Sequence, residues 1–406
     1  MNNRQLFQQY LAPTSLEPMA FPIVKAEGTI LTNDKAEQFI DLIGGISVCN
    51  IGHCHPKVVA AIQKQAAEYL HVMVYGEAVL SPQVQYAHLL TLHLPNTLNN
   101  VYFTNSGAEA VEGAMKLAKR VTGRTKIIAC HNSYHGSTQG ALSILGDEYW
   151  RAAYRPLLPD ICHVVYNDFN SLAFIDEQTA CIILETIQAE AGVRTPDIAW
   201  MQALRARCTE VGALLILDEI QVGFGRTGTL WAFEQYHIVP DVLLLGKALG
   251  GGMPLGAFIS SKENLLQLAS NPVLGHITTF GGHPVSCAAG LAGMQALLEE
   301  KMLESVAEKE ALFLKRLQHP KIKEVRSKGL IMAIELESYE QVLAFIKFCT
   351  QPSSRAQIVD CNYAGVFTDW FLFAANSVRL VPPLTITRSE IEAACTIMLA
   401  ALDIMD

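Results

Sequence analysis

The sequence predicts an α/β chain: a parallel or mixed sheet covered by helices, with a smaller α+β unit beside it. Two observations carry this reading. Short apolar runs bounded by turn residues alternate with helical patterns through the middle of the chain, and the grain changes beyond about residue 290. The runs are, in order, NVYFTNSG, TKIIACHNS, ACIILETIQ, ALLILDEIQ and DVLLLGKALGG, with helical stretches such as AEAVEGAMKLAKRVTG and WMQALRARCTEVG between them. Further on, AGMQALLEEKMLESVAEKEALFLKRLQ reads as one long helix, GLIMAIELE and SVRLVPPL as short strands, and RSEIEAACTIMLAALDIM as a last helix. The expected division is residues 1–65 as a segment joining the small unit, 66–285 as the large domain and 286–406 as the small α+β domain.

Composition removes several classes of function. Half of the 406 residues are hydrophobic, enough for a large core, yet runs such as ALLIL and DVLLLG fall far short of the roughly 18 residues of a spanning helix. No membrane passage is expected, and the opening MNNRQLFQQYLAP lacks the continuous apolar block of a secretory signal. Ten cysteines scattered through apolar runs fit reduced core residues of a cytoplasmic protein, Cys181 and Cys208 among them. A formal net charge of -9 without any Lys/Arg block argues against nucleic acid.

In an open α/β sheet, ligands sit beyond the carboxyl ends of the strands, so the polar residues there are the candidates for function. VYFTN is followed by Ser106-Gly107-Ala108 and a helix. This turn leaves backbone N–H groups free for an anion such as a phosphate, although a serine before a helix is commonly a plain N-cap. KIIAC is followed by His131 through Gly136, where Tyr134 and His135 have rings able to lie over a flat heterocycle. ALLIL is followed by Asp218 and Glu219, which point to opposite faces, so only Asp218 is expected at the site. A carboxylate there can keep a protonated ring nitrogen cationic. The next run ends in Lys247 and three glycines, an amine whose downward-shifted pKa would make it a nucleophile toward an aldehyde. Phosphate turn, aromatic, aspartate and lysine together form the usual protein frame for pyridoxal phosphate.

FTNSGAEAVEGAMKLAK, SYHG, LETIQAEAGV, LDEIQVGFGRTG, DVLLLGKALGGGMPLGAF, TTFGGHPVSCAA and VRLVPPLTIT occur in this order and together resemble the class III pyridoxal-phosphate aminotransferases. The resemblance runs from about residue 44 to the C-terminus. It implies a fold type I transferase with a mostly parallel seven-stranded sheet. It further implies that Lys247 bonds to the cofactor aldehyde and then shuttles the proton, that Asp218 holds the ring nitrogen, and that Gln221 reaches the ring hydroxyl. Tyr134 and Ile220 would cover the two ring faces, Gly107 and Ala108 would bind the phosphate, and Thr279 matches a threonine given to the neighbouring subunit's phosphate site, which implies at least a homodimer.

For substrate, the resemblance implies that Arg379 binds an α-carboxylate and that Glu190 pairs with this arginine when an ω-amine approaches and releases it for a 2-oxo acid. Two departures stand out. Ser137 replaces an arginine that in members acting on N-acetylornithine, ornithine or 4-aminobutyrate grips a carboxylate, and Ile46 stands where ornithine-specific members place a tyrosine. Arg151 and Arg155 are candidate substitutes for the lost charge, with plain surface arginines as the alternative. The function so implied is transfer of an ω-amino group from an ornithine-, N-acetylornithine- or 4-aminobutyrate-like amine to a 2-oxo acid such as 2-oxoglutarate or pyruvate. An aminomutase or a decarboxylating transaminase would use the same frame. A non-catalytic cofactor-binding protein is disfavoured, because each cofactor-contact position carries a suitable residue. No metal is expected: in GHCHP the adjacent His53, Cys54 and His55 make poor chelators, and no second ligand cluster accompanies them.

Overall fold

The computed structural model describes residues 1–350 and 362–405. Its centre is a seven-stranded sheet: β1 Asn100–Thr104, β2 Lys126–Cys130, β3 Ile161–Val164, β4 Thr179–Glu185, β5 Leu214–Asp218, β6 Val242–Leu245 and β7 Gly256–Ser260. The spatial order is β1-β7-β6-β5-β4-β2-β3, and β7 runs antiparallel to both neighbours while the remaining pairs are parallel. This is the mostly parallel seven-stranded sheet that the family resemblance implies.

Strands β4, β6 and β7 are buried at every position, and for β4 and β6 this is why they read as apolar runs rather than as alternation. Successive residues still serve opposite faces. Leu215 and Leu217 join the core that holds Trp200, Leu204 and Cys208, whereas Ile216 joins the one that holds Ala110, Val111 and Ala114. The second face is covered by the helix Gly107–Thr122, N-capped by the Ser106 side chain and ended by Gly123 at φ 68°. Gly113 lets this helix approach β7, because a Cβ there would come within 2.4 Å of the Phe258 ring.

Two smaller sheets flank the centre. One contains Lys25–Glu27, Ile30–Thr32, Gln38–Asp41 and the late strand Gly365–Phe367, so the start of the chain shares a sheet with its C-terminal part. The other contains Glu324–Ser327, Met332–Glu335, Asp369–Phe371 and Ala374–Leu380. The expected single long helix after residue 290 is instead two helices, Pro284–Glu299 and Val306–Arg316, separated by a left-handed Lys301 (φ 52°) and a short 3-10 turn. Met302 and Val306 are both buried, so the apolar spacing runs across the break and conceals it in the sequence.

The GFGRTG stretch carries a buried structural arginine. Arg226 is fully buried and donates to the carbonyls of Leu330 and Pro382 and to the Asn50 side chain, thereby tying the central unit to both flanking segments.

Candidate active site

The carboxyl ends of the strands open into a cavity of about 460 Å³, within the range of small-molecule sites. Nine of the residues expected from the sequence line it together: Gly107, Ala108, Tyr134, His135, Ser137, Asp218, Ile220, Gln221 and Lys247. Their convergence follows from topology, since each sits at or just past the end of β1, β2, β5 or β6.

Lys247 follows the fully buried β6 and opens a 3-10 turn at φ 48°, a left-handed conformation uncommon outside glycine and one that clusters at functional sites. Its Nζ donates to Gln221 Oε1 at 3.3 Å, and among the described residues no carboxylate forms an ion pair with it. Burial pushes its pKa below the ordinary lysine range; Glu190 and Asp218 oppose that shift, and Arg379 adds to it. The amine is therefore easier to deprotonate than a surface lysine.

Asp218 is held on both oxygens. Oδ1 accepts the Ile220 N–H at 2.9 Å, and Oδ2 lies 2.7 Å from His135 Nδ1. Glu219 turns to the opposite side, where it accepts from Thr186 Oγ1 and from the N–H groups of Ala232 and Phe233. Burial pushes the Glu219 carboxyl up to about 7 while those donors pull it down, so its role is to close the turn after β5. Asp218 thus lines the cavity and Glu219 does not, as their opposite faces on the strand require.

Three features show that the cavity fits pyridoxal phosphate. The buried Nε2 atoms of Gln221 and His135 find no partner among the described residues, leaving polar atoms on the wall for a ligand. Gly107 lets Ile220 lie across the phosphate turn, because a Cβ there would come within 2.8 Å of Ile220 Cδ1. The first-turn N–H groups of Gly107 and Ala108 have no intrahelical acceptors and sit at the positive end of a 16-residue helix.

Arg379 and Glu190 do not line the cavity, but the charges of both act on Lys247; they form a buried two-pronged pair, Nη1–Oε1 and Nη2–Oε2 each at 2.8 Å. Ser137 is exposed, with its hydroxyl 3.1 Å from that of Tyr134. Arg151 and Arg155 both pair with Glu148 and do not line the cavity. Thr279 and Ile46 lie outside the cavity lining as well. Thr279 is exposed and offers its carbonyl to His71, while Ile46 sits half-buried at φ 62° in the Gly44–Ser47 turn. His53 and His55 pair with Asp41 and Glu300, and no cluster suited to a metal ion occurs among the described residues.

Glu185 was missed. It ends β4 directly opposite Asp218 and lines the cavity, and among the described residues its carboxylate accepts only from the N–H groups of Tyr134 and Ala189, each at 3.3 Å. Burial, and then Asp218, push its pKa well above the carboxylate range. The rule that found Asp218, a polar residue ending an apolar strand, applied equally to this position.

Comparison with known proteins bears on what occupies such a site. Residues 11–402 match the family model for Aminotransferase class-III. The chain is 39% identical to an acetylornithine aminotransferase of Methanopyrus kandleri over 99% of each chain, and 39% identical to a putrescine aminotransferase of Pectobacterium atrosepticum over 89% of this chain and 77% of the other. Among solved structures, an ornithine aminotransferase of Toxoplasma gondii aligns with a TM-score of 0.88 at 27% identity, covering 98% of this chain and 92% of that one. An (S)-enantioselective omega-transaminase of Thermomicrobium roseum aligns at 0.87 and 27%, covering 99% and 98%. A match across nearly the whole length, together with a lysine, an aspartate and a phosphate turn converging on one cavity, shows that this chain belongs to the class III aminotransferases, enzymes of fold type I that use pyridoxal phosphate.

Proposed function

We propose that the protein moves the terminal amino group of an ω-amine of the ornithine, N-acetylornithine or putrescine kind to a 2-oxo acid such as pyruvate or 2-oxoglutarate. The observation that carries this reading is the buried Glu190–Arg379 pair, which lies outside the cavity lining yet close enough for both of its charges to act on Lys247. A pair that opens and closes gives one site two faces: closed, it presents no net charge to an amine, and open, it presents a fork to a carboxylate. The names of the relatives, acetylornithine and putrescine aminotransferases, point to the same kind of donor.

Pyridoxal phosphate supplies an aldehyde and an electron-withdrawing ring that make the hydrogen on a carbon next to a bound amine acidic. The chain's own residues would do the rest. Lys247 Nζ, with its lowered pKa, takes and returns that proton as general base and acid. Asp218, fixed by His135 and the Ile220 N–H, stabilises positive charge on the ring nitrogen. Gln221 Nε2 would donate to the ring hydroxyl, Gly107 and Ala108 would hold the phosphate, and Tyr134 and Ile220 would enclose the ring faces.

The active unit in this reading is at least a homodimer, with Thr279 completing the phosphate site of the neighbouring copy. The exposed apolar side chains around it, Val273, Leu274, Ile277 and Phe280, support a covered surface there. No helix among the described residues is long and apolar enough to cross a membrane. The divisions near residues 65 and 285 belong to the same reading.

The test is to load the protein with pyridoxal phosphate, add individual ω-amines and follow the visible cofactor band. At least one should bleach it, and an oxo acid should restore it. A broad panel of ω-amines that leaves the band untouched would rule the function out, and bleaching with turnover in the absence of any oxo acid would favour the aminomutase alternative.

A further inference from the structure

Five consecutive residues wrap the Glu190–Arg379 pair. Asp369 Oδ1 lies 3.0 Å from Arg379 Nε, without the alignment of a hydrogen bond. The Trp370 carbonyl accepts from Arg379 Nη2 at 2.9 Å, and the Phe371 ring lies under the guanidinium with its centroid 4.6 Å from Cζ. The Leu372 N–H donates to Glu190 Oε2 at 3.2 Å, and the Phe373 N–H donates to the Glu190 carbonyl at 3.0 Å. Among the described residues the arginine is thus held by the Trp370 carbonyl and the Phe371 face, with the Asp369 charge beside Nε, while its Nη1–Nη2 edge faces Glu190 and is the edge a substrate carboxylate would take.

The charge count at this corner is one cation and two carboxylates, where a simple switch would need one of each. We propose that Asp369 is a specificity-determining residue: as a second carboxylate on Arg379 it makes the corner net negative, which favours a cationic amine donor and opposes the carboxylate of an oxo acid. The loss of the arginine at Ser137 works in the same direction, since Lys247 is the single Lys or Arg lining the cavity among the described residues. This inference rests on the proposed aminotransferase reading and specifies the charge preference of that same site.

The probe is butyrate, an unreactive monocarboxylate, titrated into the pyridoxal-phosphate-loaded protein and followed by calorimetry. Asp369→Asn and Asp369→Ser should each bind it about three- to tenfold more tightly, as expected for removing one partly screened like charge a few ångströms away. In steady-state assays the same variants should lower KM for pyruvate and raise KM for 1,4-diaminobutane, with the change falling on KM more than on kcat. Asp369→Glu keeps the charge and should stay near the wild-type values. A merely structural role for Asp369 predicts weaker binding of everything, so a gain in carboxylate affinity separates the two.

Should neither neutral variant fold, the wild type answers through pH. Burial pushes the Asp369 carboxyl up to about 6, against the pull of Arg379 and helped by Glu190 and Asp41, the other charged groups that act on it. Asp41 is paired with His53; burial lowers that histidine's pKa, but Asp41 and Cys49 outweigh it and hold it at about 10, so it stays protonated through this window. Butyrate affinity should therefore rise as pH falls from 8 through about 6. Unchanged or weakened butyrate binding in the neutral variants, or in the wild type across this window, overturns the inference. Failure of the wild type to bleach with any ω-amine overturns the functional reading instead, and leaves the butyrate titration to decide the role of Asp369.

Discussion

Lys247→Ala should reduce turnover by on the order of 10⁴-fold or more, the scale of loss seen when the group that both bonds and moves protons is deleted from an enzyme. Lys247 is the single lysine on the cavity wall among the described residues, and no neighbouring amine could assume its task. The variant should nevertheless retain pyridoxal phosphate after gel filtration, through the phosphate turn and the Asp218 and Gln221 contacts, with an absorbance maximum unlike that of the wild type. Steady-state rates and the absorbance of the filtered protein check both halves, and near-normal turnover would be incompatible with the roles assigned here.

Asp218→Asn should lower kcat by at least about a hundredfold, comparable to removing a preorganised charge-stabilising group from an active site. The substitution keeps the shape and can keep the Ile220 N–H bond, but it removes the negative charge opposite the ring nitrogen. It also deprives His135 Nδ1 of its carboxylate partner at 2.7 Å. Glu185, directly across the strand pair, cannot stand in, because burial raises its pKa well above the carboxylate range and it faces backbone donors. A variant with more than a tenth of the wild-type rate would show that the charge at position 218 is not what drives the proton transfer.

The central sheet was readable because strands covered on both faces are mostly apolar, and β2, β4, β5 and β6 announce themselves that way, while the half-buried edge strand β1 was marked by its VYF run and the turn after it. β3 and β7 escaped for different reasons. β3 is a four-residue edge strand that is only half-buried, and GAFIS follows so closely on the glycine-rich turn after Lys247 that its reversal of direction leaves no trace in local pattern. The break at Lys301 was invisible because apolar spacing reports which face is buried and is silent about a single left-handed residue.

The cavity residues were legible for a topological reason: ligand-facing groups in an open sheet follow directly on apolar strands. Glu185 obeyed that rule and was overlooked beside the more familiar acid at Glu190. The Asp369–Phe373 arch could not be found this way, since its meaning depends on a hairpin folding back onto Glu190, some 180 residues earlier in the chain. Local sequence carries strand ends; it does not carry which loop will later close over them.

The most direct test of the whole account is borohydride reduction of the pyridoxal-phosphate-loaded protein, followed by intact mass and peptide mapping. Lys247 should carry the phosphopyridoxyl group as a stable secondary amine, one per chain, and the peptide containing GKALGGG should shift accordingly. A modified lysine elsewhere, or an unmodified chain after reduction of fully loaded protein, would contradict the assignment on which every role described here depends.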